Sequence, residues 1–209
     1  GNITANIVIT NPVNTSVIGA YTIRYNVSDA AGNTAMEKTR TVNVVSVTDN
    51  NESNPIYLDT NGVTLKARDW ANVGDKGIIN GIEYTIVDET TLRQMVANDE
   101  DVTKVVTTKV TDMSNMFKNT YDFNQDIGNW DVSNVTDMSH IFSNSNFNQD
   151  IGNWDVSSVI NMAHMFSEVF DFNQDIGNWD VGEVVTMFKM FRNARAFNQD
   201  IGNWNVSSV

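Results

Sequence analysis

Cysteine is absent from the chain. This excludes a disulfide framework, a thiolate zinc site and a cysteine nucleophile. Basic residues are scarce: 13 Lys and Arg stand against 26 Asp and Glu, for a net charge of −13. Such a surface repels phosphate backbones and anionic lipid, so nucleic acid is not an expected partner. No run of about 18 apolar residues exists, so no membrane insertion is expected. A Gly-rich phosphate loop, a Ser/His/Asp grouping and an HExxH pattern are all missing, and the expectation is a protein that is not an enzyme. No signal peptide opens the sequence. The start Gly1-Asn2-Ile3-Thr4 reads as an internal cut, so the chain is expected to be a piece of a longer secreted or cell-surface protein, with neighbouring domains as partners.

Repetition is abundant, and it is the feature to seek first. The string FNQDIGNW begins at Phe123, Phe147, Phe172 and Phe197, at spacings of 24, 25 and 25 residues. A second block precedes each string and runs from Val110, Val135, Val159 and Val184 to Phe117, Phe142, Phe166 and Phe191. Within one unit, Trp130-Asp131-Val132-Ser133 alternates with the period of a short strand, while Val135, Met138 and Ile141 fall three apart and predict one or two helical turns. A single unit cannot bury its own apolar side, but stacked copies can. The period and the strand-then-helix order point to the leucine-rich-repeat class. The expected fold is thus mainly β with short helices: a leucine-rich-repeat-like solenoid with a parallel strand ladder over 105–209, truncated at its C-terminus.

The motifs WDVSNVTDMSHIF and FNQDIGNW resemble the BspA-like surface-protein repeats of bacteria, which implies adhesion to host or environmental surfaces. Residues 55–104 resemble the module that often precedes such repeats. Strand-like runs there flank Asn61-Gly62 and Asn80-Gly81, both hairpin signals, and a helix over Thr91–Ala97 is predicted with Thr90 or Thr91 as cap. This module is expected to act as the N-terminal cap of the solenoid. Residues 48–54 read as a polar linker.

Residues 1–47 lack the 25-residue period. Tyr21, Ile23, Tyr25 and Val27 alternate, as do Arg40, Val42 and Val44, around the turn cluster 29–33, which predicts a β-hairpin. The segment resembles the C-terminal strands of a bacterial immunoglobulin-like domain, so an incomplete β-sandwich is expected, with its apolar face needing cover from elsewhere.

Candidate chemistry lies in the repeat columns. Trp130, Trp154, Trp179 and Trp204 share the apolar strand phase with Val132, Val156 and Val181; core packing and a sugar-stacking platform are both open, and the phase favours the core. Asp126, Asp150, Asp175 and Asp200 form one acidic column, either calcium ligands or acceptors of turn N–H groups. Calcium is the cofactor left open. Asp131, Ser133, Asp155, Ser157, Asp180 and Asn205 are the candidate ligand-binding residues, on what is expected to be an exposed strand face. His140 and His164 share a position that holds Asn115 and Lys189 in the other copies, which reads as a solvated face. An extracellular glycan or a surface protein is the expected partner class. A structural spacer with no ligand of its own is the alternative.

Overall fold

The computed structural model describes residues 7–14, 19–28, 33–44 and 53–209. The chain divides into two units, Gly1–Thr48 and Asp49–Val209. Most of the expected linker 48–54 and most of the turn cluster 29–33 lie outside the described residues.

The first unit holds β1 (Ile7–Thr10), β2 (Gly19–Val27) and β3 (Lys38–Val44) in one antiparallel sheet of order β1-β2-β3. Strand alternation places Tyr21, Ile23 and Tyr25 on one face, with Ile23 buried and the two tyrosines half-buried. On the other face Arg24 and Asn26 both donate to the Glu37 carboxylate. The hairpin read from the sequence corresponds to β2 and β3, in a register that pairs Ile23 with Arg40. The strand β1 was not read. The expected sandwich needs two sheets, and the described residues of this unit form a single sheet.

The second unit opens with two short sheets. Strands β4 (Ile56–Leu58) and β5 (Leu65–Ala67) pair antiparallel, and β6 (Lys76–Ile79), β7 (Ile82–Ile86) and β8 (Val105–Val106) form a mixed sheet in which β8 runs parallel to β7. Asn80 and Gly81 both take positive φ between β6 and β7, as a two-residue primed turn demands. The β4–β5 connection is longer: Asn61 accepts from the N–H groups of Val63 and Thr64, and only Gly62 is left-handed. Helix α1 spans Glu89–Ala97. Its N-cap is Asp88, whose carboxylate accepts from the Thr91 N–H, in place of the threonine cap expected. Arg93 on α1 donates to the carbonyls of Asp112 and Ser114 and so ties the helix to the first repeat.

From Thr107 onward the described residues contain neither strand nor helix, only isolated parallel bridges that link Asp112 to Asp137, Asp137 to Asn161 and Asn161 to Thr186. The regular structure of the chain is thus β-sheets of two or three strands and one short helix. The expected leucine-rich-repeat-like solenoid, with a parallel strand ladder and short helices, is overturned on both counts. The segment predicted as helix instead carries the bonds between copies. N–H groups of Met113, Asn115, Phe117 and Asn119 donate to carbonyls of Asp137, Ser139, Ile141 and Ser143, and the pattern repeats in the next copies. A helix is blocked because Asn115, Asn119, His140, Asn144, His164, Glu168, Lys189 and Asn193 all take left-handed φ, which no α-helix contains. Asparagine tolerates that region best among residues with a side chain, and it fills half of these positions.

The segment predicted as strand is instead a pair of turns. Asp131 captures the Ser133 N–H and hydroxyl with one carboxylate oxygen, and the Val135 N–H donates back to the Val132 carbonyl. Asp155 does the same for Ser157. Such local capping diverts backbone donors from any ladder. Period-2 spacing alone cannot distinguish this outcome from a strand.

One apolar core runs through the second unit from Val87 to Met190. Two phenylalanine columns line it. Within each copy their rings stack at 3.8 to 4.3 Å: Phe117 on Phe123, Phe142 on Phe147, Phe166 on Phe172 and Phe191 on Phe197.

Candidate functional site

The tryptophans belong to the core. Trp130, Trp154 and Trp179 are at most 4% exposed, and Val132, Val156 and Val181 beside them are buried. Each indole N–H donates one copy back: Trp154 to the Ile127 carbonyl, Trp179 to Ile151 and Trp204 to Ile176. The rings of Trp130, Trp154 and Trp179 offer no open face to a sugar, while Trp204 is half-buried. Trp130 donates to the Val102 carbonyl in the same way, so Val102 occupies the isoleucine place of a preceding, degenerate copy. Asp101 confirms that register by capping Thr103 as Asp126 caps Gly128. This half-copy was missed because only its turn chemistry survives, without the FNQDIGNW letters.

The candidate ligand-binding residues do not form one exposed strand face. Asp131 is 2% exposed, in the copy that strand β5 reaches, where the Leu65 N–H bonds the Asn129 carbonyl. The first member of the row is therefore removed from solvent, and Ser133 is half-buried. Asp155, Asp180 and Asn205 are exposed, on turns, with Ser157 half-buried between them. One oxygen of each accepts the N–H two residues on, from Ser157, Gly182 and Ser207.

The second acidic column follows the same rule. Asp126, Asp150, Asp175 and Asp200 each accept the N–H of the glycine two residues later. One oxygen of each carboxylate therefore serves its own turn. Among the described residues no group of three or more His, Asp or Glu is placed to hold a metal ion.

A side-chain ladder that the sequence reading overlooked joins the copies on the outside. Asn124 accepts from the Asn148 N–H, Asn148 from Asn173 and Asn173 from Asn198. Gln174 and Gln199 donate to the asparagine one copy back. The constant Asn-Gln pair after each phenylalanine was the available signal.

His140 and His164 stack face to face at 4.4 Å, and His140 Nδ1 is buried without a partner among the described residues. Burial pushes the His140 pKa down, helped by Lys118 and His164 and opposed by Asp137. Burial lowers His164 too, with Lys189, Arg192 and Lys118 adding to it. In the unfolded chain both take up a proton near pH 6.5, so the unfolded state binds more protons than the folded one just below that pH. Stability is then full above about pH 6.5 and falls as the pH drops through it. Asp59, held low by its bond from Lys66, and Asp88, held low by Thr91, lose their contributions only below about pH 4, so the two windows separate. Thermal melting from pH 8 to 5 is expected to show the decline. In His140→Asn/His164→Asn, which restores the residue of Asn115, the curve is expected to flatten.

No helix among the described residues is long and apolar enough to cross a membrane. Residues 89–168 and 143–209 match the family model described as Mycoplasma protein of unknown function, DUF285, and together cover more than half of the chain. The description of that model names no leucine-rich repeat. Residues 1–44 match the model of a bacterial surface protein Ig-like domain, which marks the chain as a cell-surface protein. No curated protein and no solved structure matches it. On the evidence of its stacked turn repeats and the span of that match, the chain belongs to the DUF285 family of Mycoplasma proteins of unknown function.

Proposed function

We propose that the chain is a non-enzymatic adhesion module whose repeats present a recurring polar face to an extracellular glycan or surface protein. The observation that carries this reading is the recurrence of Asp155, Asp180 and Asn205 as exposed, turn-locked groups at one place in successive copies. Their rotamers are fixed before any ligand arrives, which lowers the ordering cost of binding. The resemblance of the motifs to BspA-like surface repeats and the surface-protein Ig-like match support the same reading. Weak sites in a rigid row gain avidity by about 10²–10⁴-fold when their spacing matches a repetitive ligand.

The spacer reading is favoured by one observation. One oxygen of every such residue is already engaged by its own turn, which leaves less for a ligand. The test compares proteins carrying two, four and more repeats on immobilised neutral glycans and on whole cells. Attachment is expected to rise steeply with repeat number and to fall in Asp155→Ala/Asp180→Ala. Attachment absent at every length, or indifferent to that double variant, makes the repeats a spacer.

A further inference from the structure

Where the two hairpins overhang the first copies, a groove of about 400 Å³ opens. That volume lies in the range of small-molecule sites, about 300–1,000 Å³. One wall is apolar: Val63 from the β4–β5 connection, and Ile82 and Tyr84 from β7. Val63 and Ile82 are 37% and 44% exposed, so their apolar surface is open to the groove. The opposite wall is the turn column of the repeats, with Asp126 and Asn129 from one copy and Asp150 and Asn153 from the next. Lys104, from the degenerate half-copy, closes one end and is paired with Asp101. The lining stops at Asn153. The same turns recur at Asp175 and Asp200, which do not line this groove.

The polar wall offers both kinds of hydrogen-bonding group. Asp126 and Asp150 each spend one oxygen on Gly128 and Gly152 and keep acceptor capacity on the other. Asn129 lines the same wall, although its Oδ1 is itself buried with no partner among the described residues and is closed to the groove. The Lys104 ammonium and the asparagine amides supply donors. A ligand that satisfies this wall carries donors and acceptors together, on a body with apolar faces to lie along Tyr84, Ile82 and Val63. A sugar ring has that chemistry: hydroxyls at its edge and C–H groups on its faces. A cationic peptide brings donors alone and meets Lys104, while an anionic ligand meets two carboxylates.

We propose that this groove is a single-copy binding site for a neutral saccharide of one or two rings, formed jointly by the hairpins and the turns of the first two copies. It is separate from the row of Asp155, Asp180 and Asn205 and does not depend on that row binding anything.

The test titrates the full chain with a panel of neutral disaccharides (maltose, cellobiose, lactose and diacetylchitobiose) by protein-observed NMR. Saturable shifts are expected at Thr103, Asn129 and Asn153 for at least one sugar. Asp126→Asn/Asp150→Asn keeps the oxygen that caps each turn, as Asn205 does naturally, and is expected to weaken that sugar about tenfold or more by removing charge-assisted bonds. Ile82→Asp, at an exposed position, is expected to abolish binding while melting stays cooperative. Asp155→Ala/Asp180→Ala is expected to leave the titration unchanged. Failure of whole-cell attachment alongside saturable groove shifts would sink the row and keep the groove. No saturable shift with any sugar, shifts confined to the row, or salt-sensitive binding of an oligolysine peptide in place of the sugars would each overturn the proposal.

Discussion

Replacing Trp154 by alanine is expected to cost about 3–5 kcal/mol, the range for emptying a buried aromatic site. The ring is 3% exposed, lies 6.1 Å from Phe142 at an interplanar angle of 28°, and bonds the Ile127 carbonyl of the copy before. Collapse around the cavity is limited, because Phe142 and Phe147 are themselves held in columns that continue into the neighbouring copies. Trp154→Phe fills most of the space but leaves the Ile127 carbonyl unpaired, and is expected to cost about 1–3 kcal/mol. Equilibrium urea unfolding followed by far-UV signal separates the two. An alanine variant within about 0.5 kcal/mol of the parent, the scatter of ordinary surface changes, would contradict the core assignment.

Gly152→Ala is the second large effect, and it acts by addition. A Cβ at Gly152 falls 2.6 Å from the Asp175 carbonyl oxygen of the next copy. That neighbour is backbone, so relief requires the copies to move apart across the ladder that joins them. Overpacking of this kind costs about 1–3 kcal/mol, and here the strain falls on an interface repeated along the array. Gly128 and Gly177 meet the carbonyls of Asp150 and Asp200 at 2.6 and 2.5 Å, so they are expected to behave alike. Gly182 is the control. Its Cβ would meet the Asp180 carboxylate at 3.3 Å and the Asn205 amide at 3.6 Å. Gly182→Ala is expected to be nearly neutral, since Ser133 and Ser157 stand there in other copies. The check is the melting temperature of the four single variants. Equal shifts for Gly152 and Gly182 would contradict the close approach.

The repeat letters carried the copy boundaries, the tryptophan core and the turn role of Asp126, Asp150, Asp175 and Asp200. They misled on the backbone. Val135, Met138 and Ile141 are all buried, as a helix would have them, yet the same spacing arises when consecutive turns set every third side chain inward. The left-handed residues decide between these outcomes, and His140, His164 and Lys189 give no warning of such a conformation. Trp130-Asp131-Val132-Ser133 likewise fits a strand until the aspartate takes the Ser133 N–H for itself. At the candidate face, Asp131 was equivalent to Asp155 by letters alone. What sets its copy apart is strand β5, whose Leu65 N–H bonds the neighbouring Asn129 carbonyl, a contact of high sequence separation that no repeat alignment contains. The groove rests on the same long-range meeting of Ile82 and Tyr84 with Asn129 and Asn153, and so it could not be read before the fold was known.

Amide hydrogen exchange tests the central claim, that the copies are joined through the methionine-to-phenylalanine turns and not through a tryptophan-valine strand ladder. The N–H groups of His140, Phe142, His164 and Phe166 donate to the next copy and are expected to be the slowest in the repeats, at rates approaching global unfolding. Those of Asp155, Val156, Asp180 and Val181 are expected to exchange faster. Slower exchange at Val156 and Val181 than at Phe142 and Phe166 would place the ladder on the other segment and contradict the account.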